Sequence, residues 1–163
     1  MNTNQSPEEY LESKSMEDYR FRFLEESDYT KGYFELLQQL TSAEKCEENV
    51  WKVKFAEIKK LTNLDIIVIE HRKTGKVIGS VSFLYEPKFI RNLGYVSHLE
   101  DFVIDAEHRK VNLGAIMLEI ANFFAAYRKC YKIILDCNDS VVKFYEKNGY
   151  SVKSKGMAIY LNK

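Results

Sequence analysis

Residues 98–128 read HLEDFVIDAEHRKVNLGAIMLEIANFFAAYR, and their hydrophobic pattern changes character midway. His98 to Ile104 is short, apolar and rich in strand-forming side chains, which predicts a strand. From Leu113 to Arg128 the run is long and strongly apolar, which predicts a buried helix. Between them lies a polar turn containing Arg109, Lys110, Val111 and Asn112. A strand that feeds a helix through such a turn leaves the first N–H groups of the helix free at one point, where an anion fits. Gly114 lets a phosphate approach the backbone, and Arg109 and Lys110 add positive charge at the rim. An ordinary helix cap uses the same residue types, so this segment alone leaves both readings open.

Outward from this unit, Tyr131–Leu135 predicts the next strand. Strand, crossover helix and strand imply a parallel pair with a right-handed connection. Val141–Lys147 predicts a short helix that stops at Asn148-Gly149, and Tyr150–Leu161 predicts a last strand. Upstream, Asp65–Glu70 and Val77–Tyr85 read as a hairpin whose turn, Arg72–Lys76, contains Gly75. Val50, Trp51, Val53, Phe55, Ile58 and Leu61 recur at helical spacing over 49–61. Tyr33, Phe34, Leu36, Leu37 and Leu40 do the same behind Ser27 and Asp28, candidate caps, and that helix is expected to end near Thr41. Tyr19–Phe23 alternates aromatic and basic residues as a half-buried strand does. Residues 1–17 are polar and acidic, with Pro7, and predict a mobile tail. Residues 18–163 thus form one α+β domain, a mixed central sheet of about six strands flanked by four helices.

The chain has 163 residues, enough for one domain with a continuous core. Its formal net charge is zero, which removes any general electrostatic case for nucleic acid or an anionic membrane as partner. No apolar run approaches the roughly 20 residues that cross a bilayer, and the first residues lack the apolar centre of a secretory signal, so the expected compartment is the cytoplasm. Cys46, Cys130 and Cys137 lack metal or redox spacing, and His71, His98 and His108 form no helical pair, so no metal is expected.

A second constellation, Phe144-Tyr145-Glu-Lys-Asn-Gly149-Tyr150, follows about thirty residues after the turn. By itself it reads as an amphipathic helix with core aromatics. Together with Arg109-x-x-Asn112-x-Gly114 it resembles the GNAT superfamily of acetyl-CoA-dependent transferases, which opens the equivalent helix with Arg/Gln-x-x-Gly-x-Gly/Ala. Asn112 replaces the middle glycine, and asparagine is among the side chains best able to take left-handed φ. Glu86-Pro-Lys88-Phe89-Ile90-Arg91, Gly94, His98-x-Glu100-Asp101 and Cys130-Tyr131-Lys132 through Asp136-Cys137 are similar, in order and spacing, to the glucosamine 6-phosphate N-acetyltransferases within it. The similarity runs from about Tyr19 to Lys163.

The resemblance implies a set of roles. Phe102, Val103 and Ile104 pair their backbone with the pantetheine arm of acetyl-CoA and polarise the thioester. Arg109, Lys110, Val111, Asn112, Leu113 and Gly114 hold the pyrophosphate, and Tyr145 protonates the leaving sulfur. Thr41, Lys88, Phe89, Ile90, Arg91, Glu100, Asp101 and Phe102 line the amino-sugar phosphate pocket. Tyr131 and Lys132 reach into the neighbouring subunit of a homodimer with shared sites. Asp136 or Glu100 holds the acceptor ammonium and helps remove its proton. Two departures accompany it. Tyr160 stands where these enzymes carry a phosphate-binding arginine, with Lys153, Lys155 and Lys163 the nearest cations, and Val141 stands in place of an asparagine. They keep open a different amine acceptor, such as a polyamine, an aminoglycoside or a protein, and a non-catalytic acyl-CoA-binding module.

Overall fold

A computed structural model describes residues 5–161. Five strands, β1 (Tyr19–Phe23), β2 (Leu64–His71), β3 (Lys76–Pro87), β4 (Tyr95–Ile104) and β5 (Cys130–Ile134), form one sheet in chain order. The first four are antiparallel to their neighbours, and β5 joins β4 in parallel. The helices are α1 (Pro7–Lys14), α2 (Tyr33–Leu37), α3 (Glu48–Lys59), a single left-handed turn α4 (Ile90–Leu93), α5 (Leu113–Tyr127) and α6 (Asp139–Lys147). Two 3₁₀ turns, η1 (Glu26–Thr30) and η2 (Ala106–Val111), complete the described chain.

Side chains alternate across a strand, so β2 feeds two cores at once. Ile67 and Ile69 point to the face covered by α1 and α5, where Phe83, Leu113, Met117, Leu118, Ile120 and Phe124 are buried with them. Val68 points to the other face and packs with Tyr33, Leu36, Trp51 and Val103 under α2 and α3. Trp51 is fixed there because its indole N–H donates to the Glu26 carbonyl at 2.8 Å. Gly79 is required where β3 crosses Ile69: a Cβ at that position would lie 2.7 Å from the Ile69 Cδ1 atom. The long crossover α5 is apolar on most of its surface because it packs between the sheet and α1.

Three sequence expectations change. First, residues 7–14 of the predicted mobile tail form α1. Ser6 and Glu9 make a reciprocal capping box (Glu9 N–H to Ser6 Oγ 3.2 Å, Ser6 N–H to Glu9 Oε2 2.8 Å) behind Pro7 in the first turn. Leu11 is buried and Tyr10 stacks on Phe123 at 3.8 Å. Two apolar contacts and a cap suffice because a helix closes its own backbone hydrogen bonds. The first four residues of that tail lie outside the described residues. Second, among the described residues the sheet has five strands, not six: the segment predicted as a strand over 150–161 pairs with none of them, and Met157, Ile159 and Leu161 are largely exposed. Period-two alternation makes a strand only when a neighbouring edge supplies hydrogen bonds. Third, the helix expected to reach Thr41 stops at Leu37 and continues as turns. Among the described residues no helix is long and apolar enough to cross a membrane.

Candidate active site

The sheet opens at β4. Parallel pairing with β5 runs from Tyr95 to His98 and stops there, whereas β4 continues to Ile104. On its other side β4 carries a bulge: Ser82 faces Glu100 and Ser80 faces Val103, so Asp101 and Phe102 oppose the single residue Val81. Asp101 adopts φ of 50° to make it. The result is a stretch of β4, residues 99–104, whose backbone edge away from β3 has no partner strand among the described residues. Val103 and Ile104 stay buried on opposite faces, which fixes that edge in place.

At the end of β4 the chain enters η2 and then α5. Asn112 takes φ of 60° and ψ of 15°, the left-handed conformation expected of it. Ala115 and Ile116 turn their N–H groups to the Asn112 carbonyl at 3.2 and 3.3 Å, while those of Leu113 and Gly114 stand at the helix start, with no carbonyl before them inside the helix. Arg109 Nε donates to the Ile104 carbonyl at 3.0 Å, which anchors the loop and leaves the other guanidinium nitrogens without a protein partner among the described residues. Lys110 and Val111 are exposed. Gly114 has a packing reason beside the expected one: a Cβ there would lie 3.1 Å from the Phe144 ring of α6.

Behind this loop an aromatic wall forms. Phe102 lies 6.3 Å from both Phe144 and Tyr145, and Tyr145 lies 5.8 Å from Tyr150. Tyr145 is 8% exposed. Burial, with the nearby Cys137 and Tyr150 groups, pushes its phenol up to about 12, so it carries its proton at neutral pH and can donate it.

An open cleft of about 630 Å³ lies between β4, β5 and the segment after α6, lined by His98, Glu100, Lys132, Asp136, Tyr150 and Lys153 among others. It brings together both expected carboxylates and two cations: Lys132, expected in the neighbouring subunit's site but lining this chain's own cleft, and Lys153, one of those considered for the missing arginine. Lys163 lies outside the described residues. Thr41, Lys88, Phe89, Ile90, Arg91, Asp101 and Tyr131 do not line this cleft. Phe89 and Ile90, 96% and 64% exposed, precede the left-handed residues Arg91, Asn92 and Leu93, and Tyr131 is half-exposed against Gly94. Lys88 is paired with Glu86, whose second oxygen lies 2.9 Å from His98 Nε2. These hydrogen bonds, Lys88 first and His98 second, hold the Glu86 carboxyl below its ordinary value. Sequence reasoning gave Glu86 and His98 no role. The signal was present: His98 and Glu100 are two apart on one strand and so share a face.

The model of the "Acetyltransferase (GNAT) family" matches residues 25–150. Glucosamine 6-phosphate N-acetyltransferase 1 of Dictyostelium discoideum is 41% identical over 142 residues, covering 86% of this chain and 90% of that protein. The glucosamine 6-phosphate N-acetyltransferase of Arabidopsis thaliana is 38% identical over 147 residues, with 90% and 99% covered. A crystal structure of the Arabidopsis enzyme superposes with a TM-score of 0.84 over 90% of this chain and all of that one. An acetyltransferase from Trypanosoma brucei superposes at 0.80 with 34% identity, over 88% of this chain and all of that one. An open β4 edge, a left-handed turn into an apolar helix and a protonated tyrosine behind both are parts for acyl transfer from acetyl-CoA, and with these matches they make the chain a member of the GNAT acetyltransferase family.

Proposed function

We propose that the protein transfers the acetyl group of acetyl-CoA to the 2-amine of glucosamine 6-phosphate, giving N-acetylglucosamine 6-phosphate and CoA. The observation that carries this reading is the cleft where Glu100 and Asp136, two carboxylates that form no ion pair with a lysine or arginine among the described residues, lie with Lys132 and Lys153 beside the open edge of β4. An amino-sugar phosphate needs both signs of charge: a carboxylate for the ammonium and lysines for the phosphate. The names carried by the Dictyostelium and Arabidopsis relatives support the same acceptor.

Asp136 or Glu100 takes the ammonium proton, and the freed amine attacks the thioester carbonyl directly. The N–C bond forms as the C–S bond breaks, with an N–H of Phe102–Ile104 polarising the carbonyl oxygen. The attacking nitrogen gives up its second proton to solvent as the amide forms, while the Tyr145 hydroxyl delivers a proton to the departing sulfur and recovers one from solvent. No covalent enzyme intermediate is required.

The test is thiol release from acetyl-CoA with glucosamine 6-phosphate as acceptor, read with the mass of the product. One observation favours a second reading: Tyr160, in place of the phosphate-binding arginine, is exposed and uncharged. Equal rates with plain glucosamine would select an unphosphorylated acceptor. The proposed enzyme is a homodimer with shared sites, supported by the unpaired 150–161 segment with its exposed Met157, Ile159 and Leu161. Sedimentation is expected to give twice the monomer mass, and a fully active monomer would overturn this part.

A further inference from the structure

The turn that enters α5 is held from outside. Gln39, in the turns after α2, lies 66 residues from Asp105 in sequence, and its amide closes a two-bond ring on the start of η2. Its Nε2 donates to Asp105 Oδ2 at 2.7 Å, and its Oε1 accepts from the Ala106 N–H at 2.9 Å. Asp105 is tied further: its Oδ1 accepts from the Glu107 N–H at 2.9 Å and lies 3.1 Å from His108 Nδ1, and its own N–H donates to the Ile78 carbonyl at 2.8 Å. Burial works to raise the Asp105 carboxyl, and the bonds from Gln39, His108 and Glu107 outweigh it and hold the group below its ordinary value. An amide with both ends on one dipeptide fixes the position and the rotation of that dipeptide, and one of the two bonds is charge-assisted. Four residues beyond Asp105, Arg109 fastens the loop back onto Ile104. The loop is thus set at its start by Gln39 and at its middle by Arg109.

We infer that Gln39 is a positioning residue for acetyl-CoA: it fixes the start of the 105–112 turn so that Arg109 and the N–H groups of Leu113 and Gly114 are held in place for the pyrophosphate. The inference rests on the acetyl-CoA reading of that turn and is independent of the acceptor. It also ties the chain two residues before Thr41 to the cofactor loop.

The experiment is calorimetric titration of the full chain with acetyl-CoA. Gln39 is exposed, so its variants are expected to fold. Gln39→Ala should raise Kd about tenfold, the effect of two such bonds acting through the loop. Gln39→Glu sets two carboxylates against each other and should raise it further. Combining Gln39→Glu with Asp105→Asn exchanges donor and acceptor: the amide at 105 now donates to the carboxylate at 39, which still accepts from Ala106. That pair should return Kd to within about threefold of the wild-type value, a recovery expected only if this bond ring sets the loop. Gln39→Ala binding as tightly as wild type, or no recovery in the double variant, overturns the inference. A wild-type chain that fails to bind acetyl-CoA overturns the cofactor reading beneath it.

Discussion

Two groups of carboxylates sit on opposite sides of the sheet and differ in what their hydrogen-bonding capacity is used for. On the β1–β2 side, Arg22 directs all of its donors to protein: two bonds to Asp28 at 2.7 and 2.8 Å, two to Glu70 at 2.6 and 3.0 Å, and one to the Phe23 carbonyl. Asp28 is fully buried and also takes the Glu25 N–H at 2.9 Å. Arg22 and Asp28 keep no free group for a ligand, and the cluster acts as a joint between η1 and the sheet. On the β4–β5 side, Asp136 is exposed with no partner among the described residues, and Glu100 comes no nearer than 3.9 Å to His98. Charges with capacity to spare in a cleft are the ones available to a substrate.

The largest effect that would test this contrast is on the open side. Tyr145→Phe keeps the ring between Phe102, Phe144 and Tyr150 and removes only the proton donor, so turnover in the thiol-release assay should fall about 10²–10⁴-fold with the melting temperature nearly unchanged. Unchanged turnover would remove Tyr145 from the chemistry. The closed side should respond in the opposite way. Asp28→Ala leaves Arg22 buried beside a missing partner and should cost about 3–5 kcal/mol in denaturant unfolding, with acetyl-CoA affinity of the folded protein unchanged. A loss below about 1 kcal/mol would mean that the joint is solvated in solution.

The same pair gives a pH dependence with a definite sign. Burial raises the Asp28 carboxyl, and the bonds from Arg22 and the Glu25 N–H, with Lys31 nearby, more than offset it, so its folded value lies below the ordinary 3.8. A depressed carboxylate contributes stability that is present in full above the unfolded value and is lost as pH falls through the folded one. Acid unfolding of the wild type should therefore steepen below the ordinary carboxylate value, and Asp28→Asn should flatten that limb.

Much of this contrast could be read from residue order, and the part that could not has a common cause. The β4–turn–α5 unit was legible because its signals are local: apolar period, a left-handed asparagine and a glycine at a helix start. Asp136, Glu100 and Tyr145 followed from the family pattern around that unit. The Arg22–Asp28–Glu70 joint was not legible, since Glu70 lies 48 residues from Arg22 and Asp28 looked like a helix cap. Gln39 was missed for the same reason. The two chain ends were misread in opposite directions. Residues 7–14 have few apolar side chains yet form a helix, because a helix needs no neighbour for its backbone bonds. Residues 150–161 alternate like a strand, but they pair with no edge among the described residues.

The closed side extends to α1, and here the expected effects are smaller. Leu11→Ala removes a buried side chain from between α1, β1 and α5 and should cost about 2–4 kcal/mol. Ser6→Ala is the finest probe. It removes one of the two capping-box bonds while leaving Glu9, Pro7 and the Tyr10–Phe123 stack in place, so about 1 kcal/mol is expected. The effect should be local as well as small. Hydrogen exchange in residues 7–14 should quicken while the amides of β2 and β3 keep their protection, because the helix can fray without opening the sheet. Uniform loss of protection would instead make α1 part of the main cooperative unit.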